Sequence, residues 1–252
     1  MKKIVVMGRG GTGKTSFVAL STKYFIKKGY EPILLIDADP DQNLAEMVGI
    51  DLEKEGLKTI SELIVEMLEE HGTLYGVPPS DRLEGKIWKE GLYEGEYFDL
   101  LAIGTKWVEG CYCLPNDALK AVLRRLIKNY ELILIDSPAG VEHLNRRITS
   151  EVDDIFDIID PSKKSLSHVL RAYKIIKEIN ILFKNFFIVG GFRVTERFNP
   201  SFEDMMELEY LGKIADDKTI EEYNLEGKSL LEVPEDSAAY SSVEEILKKA
   251  GY

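Results

Sequence analysis

Residues 1–16 read MKKIVVMGRGGTGKTS. Lys2 to Met7 have the length and apolar content of a short buried strand. Gly8 to Ser16 then carry Gly8-x4-Gly13-Lys14-Thr15, the P-loop pattern, placed where that strand gives way to a helix expected over about 14–28. Each residue type has a physical task. Gly10, Gly11 and Gly13, with Thr12 among them, let successive backbone N–H groups turn inward and approach phosphate oxygens. The helix that starts near Lys14 adds its positive N-terminal end. Lys14 supplies a point charge for the terminal phosphates, and the hydroxyl of Thr15, with Ser16 next to it, can ligate Mg²⁺. The plain alternative is a glycine-rich strand–helix turn without a ligand. The position of the pattern directly after a strand favours phosphate.

The 252 residues carry a formal net charge of −12, with a sequence pI near 4.9. This length suits one domain with a sizeable core and perhaps an inserted element. The acidic balance argues against a general nucleic-acid binder. No apolar run is long enough to span a bilayer, and the chain opens on a strand rather than a signal peptide. A cytoplasmic protein without a membrane partner is therefore expected. Further strands are expected at 32–37, 98–103, 132–136, 154–159, 186–189 and 209–214. Helices are expected at about 58–70, from Asn116 or Asp117 to 129, at 164–183 and at 236–249. That alternation predicts an α/β fold, a mainly parallel sheet with helices on both faces, as a single domain over 1–252, and the Gly8–Thr15 pattern makes its expected class a P-loop NTPase. Residues 71–96 are rich in Gly and Pro and predict a long surface excursion, with Trp88 and Tyr93 either pinning it down or meeting another protein.

Two strands end in aspartates that suit a P-loop. DADPDQN follows 32–37, and Asp39 lies at a strand tip, where ligands meet an open α/β sheet. It could equally form an Asp-Pro turn or cap a helix. LILID at 132–136 lifts Asp136 to the sheet edge, where it can hold Mg²⁺ through water. Gly140 would let the segment after it respond to a terminal phosphate. His143 could be a ligand or base, or simply orient its loop neighbours.

Cys111 and Cys113 are the two cysteines of the chain. A pair one residue apart is a poor structural disulfide and points to metal or redox chemistry. Two thiolates make half of a tetrahedral soft-metal site, and a symmetric dimer would bring a second pair. Two small apolar side chains in a loop are the plain alternative.

GRGGTGKT together with Asp39 and Asp136 resembles the deviant P-loop ATPases, the family of the Min and Par ATPases and the nitrogenase iron protein. Those proteins carry a lysine where this chain has Arg9. The resemblance implies that this cation reaches across a nucleotide-sandwich dimer to the partner's phosphates, here with a planar fork of donors instead of a compact charge. It also implies that Asp39 sits beside the nucleophilic water. Within the family, CYC between the third strand and its helix, with PAGVEHLNR after Asp136, is similar to the CooC-type accessory ATPases that help insert nickel into carbon monoxide dehydrogenase. This similarity runs over nearly the whole chain. It implies a Mg²⁺-dependent ATPase that converts ATP to ADP and phosphate, with Arg9, Lys14 and Asp39 catalytic. It further implies a homodimer that carries Ni²⁺ or Zn²⁺ between paired Cys111 and Cys113 for a client metalloenzyme. GGFRV at 190–194 stands where family members commonly have an Asn-Lys pair for the base. Two other readings remain. A Min/Par-type positioning ATPase explains the nucleotide site but not CYC, and would want a basic surface or an amphipathic membrane helix. An iron–sulfur electron-transfer ATPase would share a cluster among the four cysteines of a dimer. In the nitrogenase iron protein, however, the cluster cysteines are far apart in sequence.

Overall fold

The computed structural model of the chain describes residues 1–39, 41–69, 76–104, 113–138, 151–195 and 208–252. Its strands are β1 (Lys2–Gly8), β2 (Ile33–Asp37), β3 (Leu92–Glu94), β4 (Asp99–Ala102), β5 (Leu132–Asp136), β6 (Asp154–Ile159), β7 (Asn185–Gly190) and β8 (Leu208–Lys213). Its α-helices are α1 (Lys14–Lys27), α2 (Leu44–Met47), α3 (Ile60–Glu69), α4 (Pro79–Lys86), α5 (Cys113–Leu126), α6 (Lys163–Glu178), α7 (Lys218–Glu226) and α8 (Ala238–Lys249). The strands form one sheet in the order β3-β4-β2-β5-β1-β6-β7-β8. All neighbours are parallel except β3 and β4.

β2, β5 and β6 are buried along their whole length. Their Leu- and Ile-rich runs lack polar alternation because helices cover both faces. On one face, Phe17, Leu20 and Phe25 of α1 join Tyr240, Val243 and Leu247 of α8. On the other, Leu63 of α3, Leu119 and Val122 of α5, and Val169 and Ile176 of α6 close the second core. Each such side chain contributes roughly 1.5–3 kcal/mol when fully buried.

The expected fold class is the one observed; α7 is an addition to the expected helices, and three expected stretches differ locally. The stretch expected to be a surface excursion contains α4 and β3. Pro79 sits in the first turn of α4, where its missing N–H costs nothing. Leu83 and Ile87 are fully buried, and Tyr93 packs on Phe98 at 6.1 Å between ring centres, while Trp88 remains 39% exposed. Second, α5 begins at Cys113, so Asn116 and Asp117 lie inside the helix and do not cap it. Third, α6 stops before residue 183, because Asn180 takes a left-handed φ of 56°. Among the described residues no helix is long and apolar enough to cross a membrane.

Candidate active site

β1 ends at Gly8 and α1 begins at Lys14, so residues 9–13 turn over the tip of the central strand. Gly13 makes that turn with φ 95°, a conformation that residues with a Cβ avoid. No side chain caps α1, which leaves the N–H groups of its first turn available to an anion. The Thr12 hydroxyl donates to the Arg9 carbonyl at 2.8 Å and tightens the loop. Gly191, after β7, supports it from behind: a Cβ there would lie 2.3 Å from the Thr12 carbonyl oxygen.

Lys14 is 7% exposed, and its Nζ lies 3.5 Å from the Arg9 carbonyl and 3.6 Å from Oδ2 of Asp39. The strand-tip aspartate expected near the phosphates thus meets the P-loop lysine directly. Asp39 is positioned by its own N–H, which donates to Asp37 at 3.1 Å.

Asp37 and Asp136 are register partners on β2 and β5, and both are fully buried. Asp37 also accepts the Leu44 N–H at 3.0 Å. Among the described residues neither oxygen of Asp136 accepts a hydrogen bond of good geometry, although the Thr15 hydroxyl faces it. Burial pushes the Asp37 carboxyl up to about 7, with the neighbouring Asp136 adding to it. Burial likewise pushes Asp136 up to about 7, against the pull of the Thr15 hydroxyl and Lys14. A carboxylate buried without a partner is costly unless a cation joins it. The available donors are carboxylate and hydroxyl oxygens, the hard ligands that suit Mg²⁺. Thr15, Asp136 and Asp37 therefore fit that ion.

Sequence reading gave no role to Asp37, although it closes the strand that carries Asp39. It also passed over Asp157, a charge in the middle of the apolar strand β6. Asp157 sits beside Met7 of β1, is fully buried, and accepts no hydrogen bond among the described residues. Burial pushes it up to about 7, with Lys14 opposing. Arg9 is not turned toward Asp39: its guanidinium donates to Asp160 at 3.1 Å and to Ser162 at 3.4 Å. Burial would raise Asp160, but the Ser162 bonds with Arg9 and Arg193 more than reverse this and hold it below the usual range.

Beyond Gly13 and Ser16 lies a small pocket of about 130 Å³, lined by Leu20, Phe192, Ile214 and Ile220 together with Asp216 and Glu221. An aromatic ring thus lines the space where the resemblance led us to look for an Asn-Lys pair. Cys111, Gly140 and His143 lie outside the described residues, as does the side chain of Cys113. Among the described residues no cluster of three or more His, Cys, Asp or Glu side chains is placed to hold a metal.

Residues 1–187 match the AAA_31 family, described as an AAA domain. The chain is 38% identical to a protein of Methanocaldococcus jannaschii named as an uncharacterized ATP-binding protein, over 98% of this chain and 97% of that one. It is 30% identical to the carbon monoxide dehydrogenase accessory protein CooC of Rhodospirillum rubrum, over 71% of this chain and 70% of that one. The fold superposes on the septum site-determining protein MinD of Pyrococcus horikoshii, solved with Mg-ADP, at a TM-score of 0.67. That match has 22% identity and covers 100% of this chain and 96% of the other.

Proposed function

The chain belongs to the AAA_31 family of P-loop ATPases, and from that premise we propose that it is a Mg²⁺-dependent ATPase whose cycle handles Ni²⁺ or Zn²⁺ for the maturation of a metalloenzyme of the carbon monoxide dehydrogenase kind. One observation carries the nucleotide half: the unpartnered Asp136 lies beside Asp37, under an uncapped helix that starts with Lys14 and Thr15. The N–H groups from Gly10 to Ser16 cradle the phosphates. Lys14 exchanges Asp39 for the terminal phosphate oxygens, and Asp39, released, orients the attacking water. Thr15, Asp136 and Asp37 would hold Mg²⁺, which would supply neutralising charge to the phosphates. The adenine base occupies the pocket lined by Phe192. Arg9 leaves Asp160 and acts on the nucleotide of a second copy in a homodimer, in the manner of an arginine finger.

The metal half is supported by the spacing of Cys111 and Cys113 and by the similarity to CooC. Two thiolates per chain and four per dimer close a tetrahedral site on the two-fold axis. Nucleotide state then alters subunit placement and so the separation of the two pairs. Native mass with metal analysis tests this. One Zn²⁺ or Ni²⁺ per dimer is expected, lost on the double change Cys111→Ser and Cys113→Ser while ATP binding persists. A metal bound tightly by a strictly monomeric chain, or retained by the double variant, would overturn the shared site.

A further inference from the structure

Beside Arg9 the structure holds an open cavity of about 470 Å³ whose described lining is Arg9, Lys164, Ser167, His168 and Arg171. This lining contains cations and no carboxylate, in a chain of net charge −12. With 44 acidic residues in the chain, Lys164 and Arg171 nevertheless have no ion-pair partner among the described residues. Lys164, His168 and Arg171 follow one another at helical spacing along one face of α6. The two ends of that row are about 10 Å apart at ~1.5 Å per residue. Arg9 completes the cavity from the P-loop and is 40% exposed, held there by Asp160.

The length of the row favours a ligand whose anionic groups are spread along it. A single phosphate cannot reach both ends, whereas acidic side chains at alternate positions of an extended peptide repeat about every 6.7 Å. The net charge of −12 argues against a long nucleic acid. We propose that this cavity docks an acidic segment of a partner protein, and that docking draws Arg9 away from Asp160. Carboxylates of the segment replace Asp160 as the partner of Arg9 and so withhold Arg9 from the nucleotide of a second copy, while Lys164 and Arg171 fix the register of the segment. Arg9 is next to Gly8 in the loop, and its carbonyl accepts from both Thr12 and Lys14. The occupant is thereby linked to the phosphate-binding turn. That linkage rests on the ATPase reading above; the docking itself does not.

The test uses labelled hexaglutamate, with hexalysine as control, read by fluorescence anisotropy on the full nucleotide-free chain. Hexaglutamate should bind, weaken with added salt, and bind at least tenfold more weakly to the double variant Lys164→Glu, Arg171→Glu. That variant should keep its melting temperature. Asp160→Asn removes the competitor and should tighten binding severalfold. No binding by the wild-type chain at low salt, or equal binding by the folded double variant, overturns the docking site. An unchanged affinity in Asp160→Asn overturns the role of Arg9. If the wild-type chain self-associates and the double variant does not, the occupant is a second copy and the partner-protein proposal fails. Lys14→Ala separates the two readings: normal ATP affinity there defeats the nucleotide assignment, while its hexaglutamate binding should match the wild type.

Discussion

Asp157 replaces what would be an apolar side chain in the middle of a fully buried strand. Its folded-state pKa of about 7 lies well above the ordinary carboxylate value, and burial is the leading cause. The sign follows from linkage. Below pH about 4 both states are protonated and the residue adds no pH-dependent cost. As pH rises from there to about 7, the unfolded chain sheds its proton while the folded one keeps it, so stability falls. Above that the full cost is present. Asp157→Asn removes the titration, so its stability advantage should be larger at pH 8 than at pH 5 by about 2.5 kcal/mol, because the folded state keeps one proton over the ~2 pH units between 5 and 7 that the unfolded chain has shed. Urea unfolding at the two pH values measures this, and an equal difference at both would exclude a buried ionisable carboxyl. At this scale legibility was uneven. GRGGTGKT, Asp39 and Asp136 could be read because motif spacing and strand ends are local, and the fold brings Lys14 to Asp39 and Thr15 near Asp136. The Arg9–Asp160 pair spans 151 residues, and no local pattern announces it.

α7 and α8 share one carboxylate. Asp217 accepts the Thr219 N–H at 2.9 Å as the cap of α7, and its other oxygen accepts the Ser237 hydroxyl at 2.6 Å and the Ala239 N–H at 3.1 Å at the start of α8. Burial would raise this carboxyl, but those bonds more than offset it and hold it below the usual range. Asp217→Ala uncaps α7 and leaves donors of α8 unmatched, so a loss of about 2–3 kcal/mol is expected. Asp217→Asn should recover part of it. Chemical denaturation checks both, and a loss under about 0.5 kcal/mol in the alanine variant would mean that water serves equally well. Neither this junction nor α7 was expected from the sequence. The stretch ADDKTIEEYNLEGKSL has no buried residue within its helix, so hydrophobic periodicity had nothing to report. α4 escaped for the opposite reason: its prolines and glycine read as loop, while Pro79 in fact opens the helix. The long apolar strands, by contrast, were readable because burial on both faces leaves them no other composition.

Across the whole molecule, β1 lies between β5 and β6, at the point where the chain stops adding strands on one side of the sheet and starts on the other. Such a reversal opens a crevice at the strand tips. Here Asp37, Asp136 and the P-loop all meet that crevice. Overall architecture could be read from alternation alone, but the convergence of Asp39, Asp136 and Asp157 on Lys14 belongs to the assembled sheet. That convergence makes the empty protein the weaker one. A ligand bound only by the folded state adds about 2.7 kcal/mol at a hundredfold excess over its Kd. Subtilisin digestion of the intact chain should therefore slow by at least tenfold when Mg-ADP is added, and Lys14→Ala should show no such protection. Equal rates with and without nucleotide in the wild type would remove the link. The side-by-side placement of Asp37 and Asp136 then has a meaning outside chemistry. A difference of about 1–2 kcal/mol is enough to change cellular abundance severalfold. Copies that hold nucleotide would outlast those that do not, and the number of molecules in the cell would follow the supply of what they bind.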